Sequence, residues 1–503
     1  MIDVDQAPAT TRWTVENLHG AFEEQRRAHL REGPPPLALR RNRLDRLGAA
    51  LADHADALVR AISEDYGNRP LAGALTAEIL AQLEDIRTTK KNLSSWTAPR
   101  RPQPRYLRLT GVKAWVEPTP LGVVGVIAPW NFPVALAVQP AIAAIAAGNR
   151  VMIKMSDLTP RTGEALRLAV SERFEPGEVV VVTGGLEMAT EFSTLPFDHI
   201  FFTGSPAVAK HIQRAAAEHL TPVTLELGGK SPTVVSPDAD VAKAAGRIVK
   251  ARLANSGQLC LSPDYVFVPR AKEAAFLAAA KAACRNALPT VAGNSDFCTI
   301  INDTHYRRIT ALIEDARKNG ATVHQVVPAG EHLPDAATRR IPFTLLTDTT
   351  PDMEVMQEEI FGPVLPVVPY DTVDEVIDAI NARPAPLGAY WFGPESTDFR
   401  RFVARTRSGG VTRNDFLLHA AVAGLPFGGV GTSGTGYYHG QYGFDTFSHL
   451  RAVAVSPDAY SPVALLCPPF NPTLEKGLRA VVGMWGRHLD RCAARSRRPK
   501  EDT

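Results

Sequence analysis

The sequence has little that would tie it to a metal, a nucleic acid or a membrane span. Its five cysteines (Cys260, Cys284, Cys298, Cys467 and Cys492) lack metal-ligand spacing, so no metal is expected. Their odd number leaves at least one thiol unpaired within a chain, which fits a reducing, cytoplasmic setting. A net charge of only +2, without a clustered basic footprint over the main body, argues against a nucleic-acid partner. The opening MIDVDQAPATTRW has no apolar run and carries Asp3 and Asp5, unlike a secretory signal. Charged side chains are absent from Leu121 to Gly148, a stretch long enough to span a bilayer on length alone. Pro129, Pro133 and Pro140, with Asn131 and Gln139, divide it instead into a strand LGVVGVIA, a turn PWNFP and a buried Ala-rich helix. Also missing is a GxGxxG after that strand, so a standard dinucleotide turn is not supported.

What is present describes a large globular protein. At 503 residues, 45% apolar and 21% charged, the chain is too long for one ordinary core and predicts two or three domains. Strand-like runs LGVVGVIA, RVMIKM, VVVVTG, HIFFTG and PVTLEL alternate with helical periodicity, which reads as a parallel α/β sheet. A second series, TVVS, YVFVP, TVHQVV, LPVVPY and GAYWFG, begins near Ser231 with helices such as Ala271 to Leu288 between its strands. Near the C-terminus Leu474, Leu478, Val481, Val482, Trp485 and Leu489 recur at helical spacing. From Glu475 onward eight Lys or Arg face four Asp or Glu. Such a helix suits either an anionic membrane surface or packing on the subunit with a frayed basic end.

Two reactive groups stand out, Glu226 in ELGGKSP and Cys260 in NSGQLCLSP, each beside glycine and small polar residues rather than inside an apolar run. A lone cysteine is usually a small buried hydrophobe and a lone glutamate a solvated charge. Together they supply what oxidation of an aldehyde through a thioester requires. A thiolate adds to the carbonyl, a nicotinamide takes hydride from the adduct, and a carboxylate activates the water that hydrolyses the thioester. A thiol hydrolase pairing Cys260 with a histidine, and a non-catalytic scaffold, are the competing readings.

The stretches PWNFP (129 to 133), FTGSPAVAK (202 to 210), ELGGKSP (226 to 232), GQLC (257 to 260) and EEIFGP (358 to 363) carry a resemblance to the aldehyde dehydrogenases. The ending LPFGGVGTSGTGYYHGQYGFDTFSH (425 to 449) resembles the class 3 branch, and within it the bacterial coniferyl aldehyde dehydrogenases. The resemblance implies an α/β fold with a Rossmann-type NAD-binding domain (1–98 and 118–226), a second α/β catalytic domain (227–415) and a β oligomerisation arm (99–117 and 416–455), followed by a C-terminal tail (456–503). It implies a homodimer and the oxidation of an aldehyde to its acid.

It also assigns roles. Cys260 becomes the nucleophile, Glu226 the base, and Asn131, with the Cys260 backbone N–H, the donor to the oxyanion. For the cofactor it implies Gly204 and Ser205 at a helix N-terminus against the pyrophosphate, Lys154 and Asp157 at the adenosine ribose, Glu359 at the nicotinamide ribose, and Phe361 with Trp130 against the nicotinamide. An acid at the ribose disfavours a 2′-phosphate, so NAD is expected over NADP, which Asp157 in place of a longer glutamate does not exclude. Ala209 stands where relatives often have glycine, and Lys230 reads as structural. Phe132, Leu259, Leu261, Phe416 and His419 fall near the segments that shape the substrate pocket, giving an apolar, aromatic lining suited to a cinnamyl aldehyde such as coniferaldehyde. A medium- or long-chain aliphatic aldehyde is the alternative. Leu259 and Leu261 flank the nucleophile and would narrow that pocket, while Arg413 in GVTRND would favour a distal carboxylate.

Overall fold

The computed structural model describes residues 13–101, 111–461 and 463–496. In chain order its strands are β1 (Lys113–Pro120), β2 (Val123–Ile127), β3 (Arg150–Lys154), β4 (Val179–Val182), β5 (His199–Gly204), β6 (Val223–Leu227), β7 (Pro232–Val235) and β8 (Tyr265–Pro269). They continue with β9 (Thr322–Gln325), β10 (Thr344–Thr347), β11 (Val364–Tyr370), β12 (Gly388–Phe392), β13 (Gly410–Arg413), β14 (Gly434–Thr435) and β15 (Ser448–Val455).

Strands β2, β3 and β4 are buried at every residue, the near-continuous apolar run of a sheet covered on both faces. They belong to a six-stranded sheet of order β14-β6-β5-β2-β3-β4, parallel except for the antiparallel edge β14. The second sheet has order β13-β12-β7-β8-β11-β10-β9. It is likewise parallel except at β9, which lies antiparallel on β10. The run TVHQVV therefore forms a strand, but as an antiparallel edge. Strand β10, of sequence TLLT, is a further strand that the apolar runs of the sequence did not mark.

The helix Ala135–Ala147 follows the PWNFP turn and is buried along nearly its whole length, which explains the uncharged stretch without a membrane. No helix among the described residues is long and apolar enough to cross one.

Two compact units result. The larger comprises the described residues of Met1–Ala98 and Pro118–Leu450, and so holds both large sheets in one body. Residues 416–450, expected in the oligomerisation arm, fall within it, because β14 pairs with β6 and Phe444 and Phe447 are buried in its core. The smaller unit comprises the described residues of Pro99–Glu117 and Arg451–Thr503. In it Glu117 meets Arg451 at 2.9 Å, and the helix Pro472–Ser496 exposes Leu478, Val481, Val482, Trp485 and Leu489.

Candidate active site

The register of the first sheet brings several expected residues to one edge. Lys154 ends β3 opposite Ile127 of β2 and Val182 of β4, and Gly204 ends β5 opposite Leu227 of β6. This is the carboxyl edge of the parallel strands, where open α/β sheets bind ligands. Ser205 caps the helix Pro206–Ala217 by accepting from the Val208 N–H, so the N-terminal amides of that helix face the same edge. The Lys154 ammonium is buried and donates to the carbonyls of Met155 and Gly184, 2.7 Å each, leaving one N–H for another acceptor. Burial pulls its pKa down to about 8, with Asp157 opposing that shift. Asp157 itself is exposed.

Beyond that edge opens a cavity of about 990 Å³. Asn131, Glu226 and Cys260 all line it, together with Trp130, Gly204, Ser205, Glu359 and Phe361. Glu226 lies on β6, paired across the sheet with Thr203 and with Gly434 of β14. Its two carboxylate oxygens and the Thr203 hydroxyl are buried without a hydrogen-bond partner. Burial therefore raises the Glu226 pKa well above the usual carboxylate range. The orphaned oxygens suit a water or ligand group brought into the cavity.

Cys260 follows a turn in which three residues in succession adopt left-handed backbone, Asn255 (φ 48°), Ser256 (φ 53°) and Gly257 (φ 75°). Such geometry persists only where the surroundings over-determine it. Here the Ser256 hydroxyl donates to the Cys298 carbonyl and the Gln258 amide donates to Thr299 O at 3.0 Å. A Cβ at position 257 would collide with the Gly362 carbonyl, so glycine is required. Burial, then the charges of Glu359 and Glu226, push the Cys260 thiol up to about 12, while the N–H groups of Cys260 and Leu261 oppose the shift. The thiol is protonated at rest and needs a proton acceptor. Asn131 sits between β2 and the helix Ala135–Ala147, and its carboxamide donates to the Gln258 carbonyl at 3.3 Å, two residues before Cys260. One amide hydrogen remains for an oxyanion.

Glu359 and Phe361 come from the loop before β11. Burial raises Glu359 to about 8, with Asp264 adding to the shift and the Gly229 N–H opposing it. Trp130 meets Phe361 edge to face at 5.4 Å. Lys230 proves to be a brace. Its ammonium reaches Asp264 at 2.5 Å and the carbonyls of Val355 and Glu358 at 2.8 Å, while Asp264 accepts from Ile360 N–H and Arg252. One buried cluster thus ties the loop after β6, which follows Glu226, to the segments that carry Cys260 and Glu359.

The expected substrate residues lie differently. Leu259 and Leu261 are buried in the apolar core, with Phe132 and Phe416 packed against it, and neither leucine is among the residues lining the cavity. His419 is buried, its Nδ1 sharing a hydrogen bond with Thr412 at 2.8 Å. Arg413 donates to the Gly393 carbonyl at 3.1 Å and lies over Phe399, so it does not present a free cation to the cavity. Sequence reasoning missed Phe427, Thr432 and Tyr438, which line the cavity beside Cys260. The Phe427–Tyr438 bridge and the β14 pairing deliver them, and a Cβ on Gly434 would strike the Leu225 carbonyl. The glycines of LPFGGVGTSGTGYYHG were the available signal for that close approach.

With that geometry established, comparison places the chain among known proteins. Residues 7–453 match the aldehyde dehydrogenase family. The chain is 45% identical over 470 residues to the probable coniferyl aldehyde dehydrogenase of Caulobacter vibrioides, covering 92% of this chain and 96% of that one. The substrate-bound state of Staphylococcus aureus AldH superposes with a TM-score of 0.84 at 34% identity, covering 92% of this chain and 99% of the other. The NAD+ complex of an aldehyde dehydrogenase from Bacillus cereus gives 0.79 at 28% identity, covering 88% and 90%.

Proposed function

Because this chain belongs to the aldehyde dehydrogenase family and oxidises aldehydes with NAD(P), we propose that its substrate is a cinnamyl aldehyde such as coniferaldehyde, taken to ferulate, and that NAD is its cofactor. The observation that carries the chemistry is the convergence of Cys260, Glu226 and Asn131 on one cavity walled by Trp130, Phe361, Phe427 and Tyr438. Aromatic walls suit a planar conjugated aldehyde.

In the proposed reaction the Cys260 thiol gives its proton to solvent and its sulfur adds to the aldehyde carbon, forming the C–S bond of a thiohemiacetal as the carbonyl π bond breaks. The former carbonyl oxygen, now negative, accepts a hydrogen bond from the free Asn131 amide N–H. A nicotinamide held by Glu359, Trp130 and Phe361 would supply the hydride acceptor that oxidation of this carbon requires. The products at Cys260 are a thioester and, after Glu226 removes a proton from water, the carboxylic acid and free thiol. Glu226 is suited to this because its orphaned oxygens have no competing partner. We assign the pyrophosphate to Gly204 and Ser205, the adenosine ribose to Lys154 and Asp157, and the nicotinamide ribose to Glu359, with Trp130 and Phe361 against the nicotinamide. On this reading 1–98 with 118–226 binds the cofactor and 227–415 carries the nucleophile.

The test is reduced-cofactor formation with cinnamyl, benzyl and aliphatic aldehydes, run with NAD and NADP in parallel. Higher kcat/KM on decanal than on cinnamaldehyde, or on NADP than on NAD, overturns the corresponding choice.

We further propose a homodimer in the cytoplasm. Among the described residues β1 and β15 form a two-stranded sheet, which is marginal alone and offers edges to a second copy. A monomer in sedimentation equilibrium would refute this. The exposed apolar side chains and basic residues of Pro472–Ser496 suit contact with an anionic membrane surface, to be tested by co-sedimentation with phosphatidylserine vesicles.

A further inference from the structure

The main-chain carbonyl of Asn131 is unusually well held. It accepts from the Arg69 guanidinium at 2.9 Å, the Tyr66 hydroxyl at 3.1 Å and the Asn255 carboxamide at 3.2 Å. Tyr66 ends the helix Ala55–Tyr66, and its hydroxyl also lies 3.3 Å from the Trp130 carbonyl. Arg69 is in turn paired with Glu78 at 2.9 Å, the two side chains being 4% and 0% exposed. Glu78 lies in a π-helical turn, Leu75–Leu80, a geometry that recurs at functional sites. Its second oxygen accepts the N–H groups of Val134 and Ala135, at 3.1 and 2.7 Å, where the helix after the PWNFP turn begins. A buried carboxylate there both satisfies free helix amides and meets the positive end of the helix dipole.

On the other side, Asn255 donates to the Asn131 and Gln258 carbonyls, and the Asn131 carboxamide shares that Gln258 acceptor. The turn is therefore gripped from one side by residues 66–78 and from the other by the segment leading to Cys260. Of these residues only Trp130 and Asn131 line the cavity.

We propose that Tyr66, Arg69 and Glu78 are positioning residues that fix the Asn131 carboxamide relative to Cys260 through the Asn131 backbone, a role that rests on the reading of Asn131 as the oxyanion donor. A buried ion pair is seldom a net source of stability, and its use here is geometric: a displacement of about 1 Å at an oxyanion donor is enough to cost a large factor in rate.

The experiment is a set of double-mutant cycles. Tyr66→Phe, Arg69→Lys and Glu78→Gln are made in the native chain and in Asn131→Ala, and kcat and KM for cinnamaldehyde are measured with the Cys260 alkylation rate by iodoacetamide. In the native background Tyr66→Phe should lower kcat about ten-fold and Glu78→Gln about 10²-fold, with KM and alkylation within about two-fold. In Asn131→Ala, itself down about 10² to 10³, the same substitutions should change kcat less than about two-fold, because their effect passes through the missing side chain. Equal losses in both backgrounds, or no loss in the native one, overturn the proposal. Should Glu78→Gln fail to fold, Tyr66→Phe decides, since it removes one hydroxyl and no charge. An Asn131→Ala enzyme of undiminished kcat would instead defeat the oxyanion reading, and this inference with it.

Discussion

The Glu359 carboxylate lies directly against Gly228, close enough that a methyl group on that glycine would occupy the space of its oxygens. The Gly229 N–H donates to the same carboxylate. Gly228 has no left-handed backbone to protect, so alanine there is conformationally permitted and acts only by displacing Glu359. Gly228→Ala should weaken NAD binding about ten-fold while leaving the melting temperature unchanged. Cofactor titration by quenching of tryptophan fluorescence would check it, and an unaltered Kd would detach Glu359 from the ribose.

Replacing Cys260 removes the only thiol on the cavity wall among the described residues. Cys260→Ser should reduce aldehyde-dependent formation of reduced cofactor by at least about 10³-fold, since a buried serine hydroxyl is a poor nucleophile and no other group can form the thioester. Retained oxidation would revive chemistry that bypasses this sulfur.

Glu226→Gln should spare the first turnover and slow the steady state by about 10² to 10⁴, because the general base acts after hydride transfer. With its folded pKa raised, Glu226 binds a proton that the unfolded chain releases near 4.5. Its contribution to stability is present at low pH and lost as pH rises through the folded value. Glu226→Gln should accordingly melt higher than the native protein at alkaline pH, with the difference shrinking toward pH 4. Rapid-mixing kinetics check the first outcome and thermal scans across pH the second.

Glu178 works in the opposite sense. Burial alone would raise its pKa, but hydrogen bonds from Arg46 and Arg43 hold it at about 2, below the ordinary 4.5. A depressed value contributes stability above the unfolded pKa and loses it as pH falls toward 2. After allowance for solvent screening the pair is worth about 1 to 2 kcal/mol near neutrality. Glu178→Gln should lose that amount at pH 7 in urea unfolding, and the gap should close below pH 4.

Much of this was readable along the chain because its signals are local. The apolar runs around Val124, Met152, Val181 and Phe201 needed no tertiary information to declare a covered parallel sheet, since period and composition are properties of neighbours. Prolines at 129, 133 and 140 likewise argue against a membrane span from the sequence alone. The motifs that hold Cys260, Glu226 and Asn131 are compact for the same reason: Cys260 and Asn131 follow or sit in turns whose backbone demands particular residues, and Glu226 lies near the end of a strand just before one.

What the sequence could not decide is which side chains meet. Leu259 and Leu261 flank the nucleophile in sequence, yet successive residues point different ways, and the turn sends both into the core. Arg413 looked like a free cation until Gly393 supplied its acceptor. Tyr438 reaches the cavity only because β14 closes onto β6, and Glu78 meets the N–H groups of Val134 and Ala135, and Arg69 the Asn131 carbonyl, only because a π-helical turn faces the start of a helix more than fifty residues later. Local propensity determined the elements and the reactive turns of this protein. Long-range packing decided what surrounds them, because burial and hydrogen bonding between distant segments leave no periodic trace in either.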